Sequence, residues 1–554
     1  MAHREILILN FLLWIFPGSL LGAQINFWSD KDSQVLIPQL VDAMSPEDLA
    51  GQVLLFTYSG DTPSEQFLTL ARKWRLGGIK IFGWNANSLG SLVNSISRLQ
   101  DMARQTRLKI PLIVATDQEG GWVRHIRIAT SQTPGNLALG ASSFPYDSVM
   151  TGYYIGEELR ALGINMNFAP TVDVYSDLDN SVIGPRAFSS DPIQTAILAT
   201  AFYKGLEKAG VMATAKHFPG HGHTSVDSHG RLPEVDVDLG TLKSRELVPY
   251  DYLIRDGLPA IMSGHLAFPK ITGNKVAASL SPYFSTDLLR NQMGYKNILI
   301  TDDLFMEGAR IDGKPLAVSA ETALRAGNDM IMMSQPLEDQ IATWNLFLAL
   351  AKSDPIFLAR LKESAARILR VKIRYLTPDT RVPLNPTLAA AYRIPTQEAK
   401  NFFFQQALRS VSILKPQRIP LTDKNPLVVT VYPRFFEAVK ARFPGAQLFD
   451  LNWDPFFSFS DPQAARLKQL LPSASSVIFN MVTPGSAELL KILRPWSGKI
   501  TVASLLTPAY LHSIPWVDSA VASYGTSYDS MEALVSALAG DFIPQGKVPL
   551  DLSR

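Results

Sequence analysis

This sequence predicts an α/β protein in two parts, a (β/α)8 TIM-type barrel followed by a smaller α/β sandwich domain. Short apolar or β-branched runs alternate with longer amphipathic stretches, the rhythm of strand–helix units around a parallel sheet, and eight such units can be read between residues 51 and 333. The 554 residues exceed what one ordinary hydrophobic core holds. A polar interval carrying Pro378, Pro383, Pro386 and Pro395 separates the eight units from the rest.

Each element follows from its local pattern. Strands are expected at 51–57, 78–82, 111–116, 164–168, 211–215, 259–263, 298–301 and 329–333, all short and most ending in polar or glycine residues. Helices are expected at 92–107, 147–162 and 192–209, where apolar positions recur at helical spacing and Gly or Pro follows. The barrel domain is expected over 24–375 and the linker over 376–397. The second domain then covers 398–554, with strands at 427–431, 476–480 and 500–503 separated by helices. In a (β/α)8 barrel the chemistry sits at the C-terminal ends of the strands, so the residues just past each run are the candidates.

Composition narrows the function. Hydrophobic residues make up 46% and charged residues 18%, a globular balance. The formal charge of +2 is near neutral for this length, and no Lys/Arg block is interleaved with aromatics, so a nucleic-acid partner is not expected. The expected ligand is a small, mostly uncharged molecule. Residues 6–23 form an apolar run that closes with small residues, and 1–23 read as a cleaved export signal; Pro17-Gly18 interrupts the run, which argues against a spanning anchor. Export to the periplasm or the medium is expected, with no stable membrane insertion after cleavage. The chain has no Cys, so disulfides, thiolate metal sites and cysteine nucleophiles are excluded.

The most informative segment, AKHFPGHGHTSVDSH at 215–229, follows the fifth strand and holds four of the eight histidines. Its glycines and Pro219 exclude a continuing helix and permit close approach to a ligand or lid movement. Two chemistries compete. His217, His221, His223 and His229 suffice in number for a catalytic zinc, but no HExxH pattern is present and a rigid ligand-bearing helix is excluded, so no metal or other cofactor is expected. In the other reading, Asp227 and His229 lie two residues apart. A turn can then bring the carboxylate to one imidazole nitrogen while the other faces substrate. Such a dyad can donate a proton near neutral pH and take it back.

The second segment, ITDDLFMEGA at 300–309, ends the seventh strand. Alternation along a strand predicts that only one of Asp302 and Asp303 faces the barrel mouth, with Asp303 suited to capping a helix start. An ionised carboxylate below an anomeric carbon can form a covalent glycosyl-enzyme, the retaining route of glycoside hydrolysis.

Five motifs in order along the barrel carry a resemblance: TDQEGG at 116–121, NFAP at 167–170 with Asp173, IGPRAF at 183–188, KHFPGHG at 216–222 with DSH at 227–229, and TDDL at 301–304. Together they resemble glycoside hydrolase family 3, specifically its β-N-acetylglucosaminidase branch. The resemblance implies Asp302 as nucleophile and the Asp227/His229 pair as acid/base. It also implies that Asp117, Arg186, Lys216 and His217 bind sugar hydroxyls, as groups supplying directed hydrogen bonds should. Glu119 has a structural or supporting role. The sequence departs from the family pattern at His125, beside Arg124, where relatives often carry an arginine. GDFIPQGKVP at 540–549 resembles the closing segment of two-domain members.

The activity so implied is a retaining, exo-acting β-N-acetylglucosaminidase acting on terminal N-acetylglucosamine of peptidoglycan fragments or related glycans. Alternatives are a β-N-acetylglucosaminide phosphorylase, another family 3 β-glycosidase, a zinc-dependent hydrolase and a non-catalytic sugar-binding protein.

Overall fold

The computed structural model describes residues 25–224, 230–379, 381–451 and 461–553. Ten strands precede residue 334: β1 Leu54–Phe56, β2 Gly78–Lys80, β3 Ile113–Thr116, β4 Gln118–Gly120, β5 Val123–Arg124, β6 Met166–Asn167, β7 Met212–Phe218, β8 Ala260–Ser263, β9 Ile298–Thr301 and β10 Ile331–Met333. Eight of them form one parallel sheet in the order β10-β1-β2-β3-β6-β7-β8-β9. The ends meet through a parallel bridge between Ile300 and Met330. The Asp329 N–H donates to the Leu299 carbonyl at 2.7 Å and the Thr301 N–H to the Met330 carbonyl at 3.0 Å, which brings the barrel nearly to closure. All eight expected strand sites are occupied; the seventh keeps its expected bounds, the fifth runs on to Phe218, and the others are shorter than expected, most of all the first and fourth.

These strands are buried on both faces, as the near-continuous apolar runs require of a parallel sheet covered by helices. The outer helices include Leu89–Arg104, Pro145–Ala161 and Pro192–Lys208, within a few residues of the expected bounds. Asp191 caps the last of these by accepting from the N–H groups of Ile193 and Gln194, and Pro192 sits at its first position. Helices Pro145–Ala161 and Pro192–Lys208 pack closely because their seam is glycine. A Cβ on Gly152 would stand 2.1 Å from the Phe202 carbonyl oxygen, and one on Gly205 would stand 2.0 Å from that of Val149.

After helix Pro355–Leu376 and the short helix Leu388–Ala391, helix Gln397–Ser410 leads into a second sheet. Its strands are β11 Ser412–Pro416, β12 Leu427–Thr430, β13 Gln447–Asp450, β14 Val477–Met481, β15 Ile500–Ser504 and β16 Ser519–Ala522, in the order β11-β16-β15-β14-β12-β13. β11 runs antiparallel to β16 and the other pairings are parallel. Helices cover both faces, giving the expected α/β sandwich. Helix Gln397–Ser410 docks on the barrel through Arg409, whose guanidinium holds the buried Asp147 at 2.7 and 3.0 Å, and through Phe402 and Phe403 packed on Tyr154. Among the described residues no helix is long and apolar enough to cross a membrane.

Candidate active site

A cavity of about 500 Å³ opens where the barrel strands end, and polar side chains from several strands converge on it: Asp117 and Glu119 follow β3, Lys216 and His217 lie in β7, and Asp302 follows β9. Arg186 reaches in from the loop after β6. Five of the seven residues singled out in the sequence therefore share one wall. The other two, Asp227 and His229, lie outside the described residues.

The wall is a lattice of alternating charge. Arg186 grips Glu119 with two parallel bonds, Nε–Oε2 at 2.9 Å and Nη2–Oε1 at 2.8 Å. Lys216 Nζ lies 2.6 Å from Glu119 Oε1 and also pairs with Asp117. Charge-assisted bonds of this kind fix side chains at defined positions in a poorly hydrated site. Burial alone would raise the Glu119 pKa, but Arg186 and Lys216 outweigh it and hold the carboxyl far below its usual range. Burial pushes the Lys216 ammonium below its ordinary pKa, aided by the charge of Arg186 and opposed by Glu119.

Lys80 completes the lattice, and sequence reasoning missed it. It lies in β2 only 1% exposed, ion-paired to Asp117, with Nζ 4.4 Å from the Phe168 ring centroid and 4.9 Å from that of Phe82. Burial, then repulsion from Lys216, drives its pKa well below the usual lysine value. The signal was in the strand itself: a lysine within the apolar run 78–82 must be buried, and a buried lysine must be partnered. His125 lines the same wall, stacked on Phe82 with Nδ1 3.7 Å from Asp117, and burial followed by the charges of Lys80 and Lys216 pushes it down to about 3. Arg124 turns elsewhere, donating to the Thr130 carbonyl at 3.4 Å.

His217 is oriented by Asp173. Its Nδ1 lies 2.8 Å from Asp173 Oδ2, while Asp173 Oδ1 accepts the backbone N–H of His217 at 3.2 Å and of His221 at 2.7 Å. One fully buried carboxylate thus pins both the imidazole and the turn that follows. His217 Nε2 faces the Arg186 guanidinium at 3.3 Å, an unfavourable neighbour for a nitrogen that would bind a divalent cation. The glycines of this turn approach protein rather than ligand. A Cβ on Gly222 would stand 1.7 Å from the Val174 carbonyl oxygen, and one on Gly220 would stand 2.7 Å from Glu246 Cβ.

Asp302 lies partly open to the cavity floor. Its backbone N–H donates to the Ser263 carbonyl at 2.9 Å, and its Oδ1 accepts the Asp303 N–H at 2.8 Å. Burial would raise its pKa; the charges of His217 and His265, the Asp303 N–H and Lys216 prevail and hold the carboxyl at about 2. It is therefore ionised at neutral pH. Asp303 corrects two expectations. Strand β9 stops at Thr301, so alternation does not separate the two aspartates, and both line the cavity. Asp303 also caps no helix: its Oδ1 accepts from Phe305 N at 3.1 Å and Ser334 N at 3.0 Å, tying the loop after β9 to that after β10. His265, after β8, bonds through Nδ1 to Ser279 Oγ at 2.7 Å and through Nε2 to the Asp303 carbonyl at 3.1 Å, which supports the aspartates from behind.

A closing barrel whose strand ends present an ionised carboxylate beside a lattice of paired lysine, arginine and carboxylate groups has the form of an active site for a polar substrate. Residues 45–371, more than half of the chain, match the N-terminal domain model of glycosyl hydrolase family 3. The chain belongs to that family, in its β-hexosaminidase branch. It is 35% identical over 389 residues to β-hexosaminidase A of Pseudoalteromonas piscicida, a match covering 66% of this chain and 64% of that protein, so it spans less than two thirds of that relative. It is 34% identical to a β-hexosaminidase of Bordetella avium (strain 197N), over 50% of this chain and 78% of the relative. A family 3 β-N-acetylglucosaminidase from Paenibacillus sp. str. FPU-7 superposes with a TM-score of 0.82 at 29% identity, covering 92% of this chain and 99% of that one.

Proposed function

We propose that this protein is a retaining, exo-acting β-N-acetylglucosaminidase that releases terminal N-acetylglucosamine from peptidoglycan fragments or related glycans after export to the periplasm or medium. The observation that carries the reading is Asp302, an ionised carboxylate on the cavity floor with His217 and Lys216 acting on it and a hydroxyl-binding lattice of Asp117, Arg186, Lys216 and His217 beside it. The names of the relatives support a hexosaminidase, and that of the superposed family 3 structure supports the N-acetyl sugar.

In the proposed mechanism, Asp302 attacks the anomeric carbon while His229, the acid of the dyad expected with Asp227, protonates the leaving oxygen. The glycosidic bond breaks and a covalent glycosyl-enzyme forms with inverted configuration. His229 then takes a proton from water, whose oxygen displaces Asp302 and restores the original configuration. The lattice holds the ring hydroxyls so that the anomeric carbon meets the carboxylate in line, the positioning that makes the attack effectively unimolecular.

The test is hydrolysis of aryl β-N-acetylglucosaminide beside aryl β-glucoside, with and without chelator and in phosphate buffer. Chelator-resistant release of free N-acetylglucosamine, with the glucoside a poor substrate, supports the proposal. Glucoside preference, sugar 1-phosphate as product, loss of activity with chelator, or sugar binding without turnover would each overturn it in favour of a different activity. The mature N-terminus, found after residue 23, would support export; a retained leader would oppose it.

A further inference from the structure

We propose that the closing segment of the chain, residues 546–551, is a positioning strap for the sugar-binding Arg186. The inference rests on the proposed activity and extends it to a part of the chain far from the barrel mouth in sequence.

The strap leaves the second sheet and returns to the barrel. The Gly546 N–H donates to the Val411 carbonyl at 3.0 Å, at the entry to β11, and the next residue, Lys547, donates its N–H to the Ala141 carbonyl at 2.9 Å, at the end of helix Asn136–Ser142. The Pro549 carbonyl then accepts from Ser189 Oγ at 2.9 Å and Ser190 N at 3.0 Å, and the Asp551 N–H donates to Ser190 Oγ at 3.1 Å. Leu550 is buried against a cluster containing Tyr175, Leu178, Ile183 and Ala187 of the Arg186 loop and Ala509, Ala522 and Tyr524 of the second sheet's region.

Between Ser189 and Arg186 stand only Ala187 and Phe188, both fully buried, so there is little slack between the strap and the guanidinium. The other side of Arg186 is held by the same helix the strap grips: Asn136 Nδ2 donates to the Arg186 carbonyl at 2.7 Å. The strap thus ties helix Asn136–Ser142 to the segment carrying Arg186, and Arg186 in turn holds Glu119 by a two-bond fork that tolerates little displacement. This gives the closing motif, and through it the second domain, a role in binding the terminal sugar without placing any of its side chains in the cavity.

Leu550→Ala and Ser190→Ala each loosen one attachment. The expected result is a KM for aryl β-N-acetylglucosaminide raised about fivefold or more with kcat within about twofold, a matching loss of free N-acetylglucosamine binding by calorimetry, and faster amide exchange over 186–190. Leu550→Met restores KM. An unchanged KM and sugar affinity, even with a lowered Tm, would overturn the proposal and leave the strap a purely structural tie. If Leu550→Ala does not fold, Ser190→Ala decides by the same readouts. Wild-type protein that binds N-acetylglucosamine without turning it over rejects the proposed activity while the binding comparison still tests the strap.

Discussion

The barrel and the second sheet are built alike, parallel strands buried between helices, yet they differ in what they bury. Among the described residues, every buried Asp, Glu, Lys or Arg side chain lies before residue 377: Asp48, Lys80, Glu119, Asp147, Glu158, Asp173, Lys216, Glu246, Asp329 and Lys372. From residue 398 on, the buried polar side chains are all neutral, chiefly Ser and Thr with Asn480 and Gln406. In the second sheet Asn480 takes a hydrogen bond from Thr430 Oγ1 at 3.0 Å and donates to the Ala503 carbonyl at 3.0 Å, satisfying itself locally. Burying an ion costs several kcal/mol before any partner compensates, so charge is kept inside only where it is partnered or where chemistry needs it. Parallel architecture alone makes no site; paired charge at the strand ends does.

Substitutions that neutralise the two regions should therefore diverge, and the largest effect belongs to the cavity floor. Asp302→Ala is expected to lower turnover of aryl β-N-acetylglucosaminide by at least about 10³-fold while the circular dichroism spectrum stays native, because the proposed nucleophile has no substitute within the lattice. Near-normal turnover would reject the assignment. Lys80→Met strips Asp117 of a buried cation, and kcat/KM should drop by about 10²-fold, the scale of one charge-assisted hydrogen bond. If only Tm fell, Lys80 would be scaffold rather than site. Glu119→Gln keeps the shape but releases Arg186 and Lys216, so a milder rise in KM of about tenfold is expected from initial-rate kinetics.

Lys372 sharpens the comparison from the opposite direction, since it is a buried barrel charge outside the cavity. Its Nζ donates to Gln52 Oε1 at 2.9 Å, and burial pushes its pKa down to about 7. In the unfolded chain the lysine stays protonated to about 10.4. Between these values the unfolded state binds the extra proton, so this group makes the protein more stable as pH rises through the window and less stable below it. Lys372→Met is therefore expected to stabilise the fold by about 1–3 kcal/mol at pH 7, with a gain that shrinks toward pH 10 and kinetics unchanged. Denaturant melts across that range check it, and a destabilised variant at pH 7 would count against the burial argument. The smallest effect is expected in the second sheet: Asn480→Ala should cost about 1–2 kcal/mol of stability and leave kcat/KM untouched.

Much of this was legible in the residues. All eight barrel strands, the three helices and the three strands named for the second sheet appear where apolar periodicity placed them, because buried parallel strands leave a local signature. Asp117, Arg186, Lys216, His217 and Asp302 stand together because strand-end position in a barrel converts sequence order into a ring. Lys80 and His265 were missed for want of a partner in the linear sequence, and His125 was noticed there only as a departure from the family pattern, beside Arg124. Lys80 acquires meaning only beside Asp117, His125 only when stacked on Phe82, and His265 only behind the Asp303 carbonyl.

What the sequence determined by itself was the alternation of strands and helices, the family and the acidic and basic groups available for chemistry, all properties that reside in short windows of residues. Tertiary structure alone decided that both Asp302 and Asp303 line the cavity, that the glycines after His217 pack on Val174 and Glu246, and that the end of the chain returns to the loop of Arg186. The physical reason is common to all three: each depends on where a strand stops or which segment lies opposite, and neither a strand's end nor a contact between segments tens to hundreds of residues apart leaves a period or spacing to read.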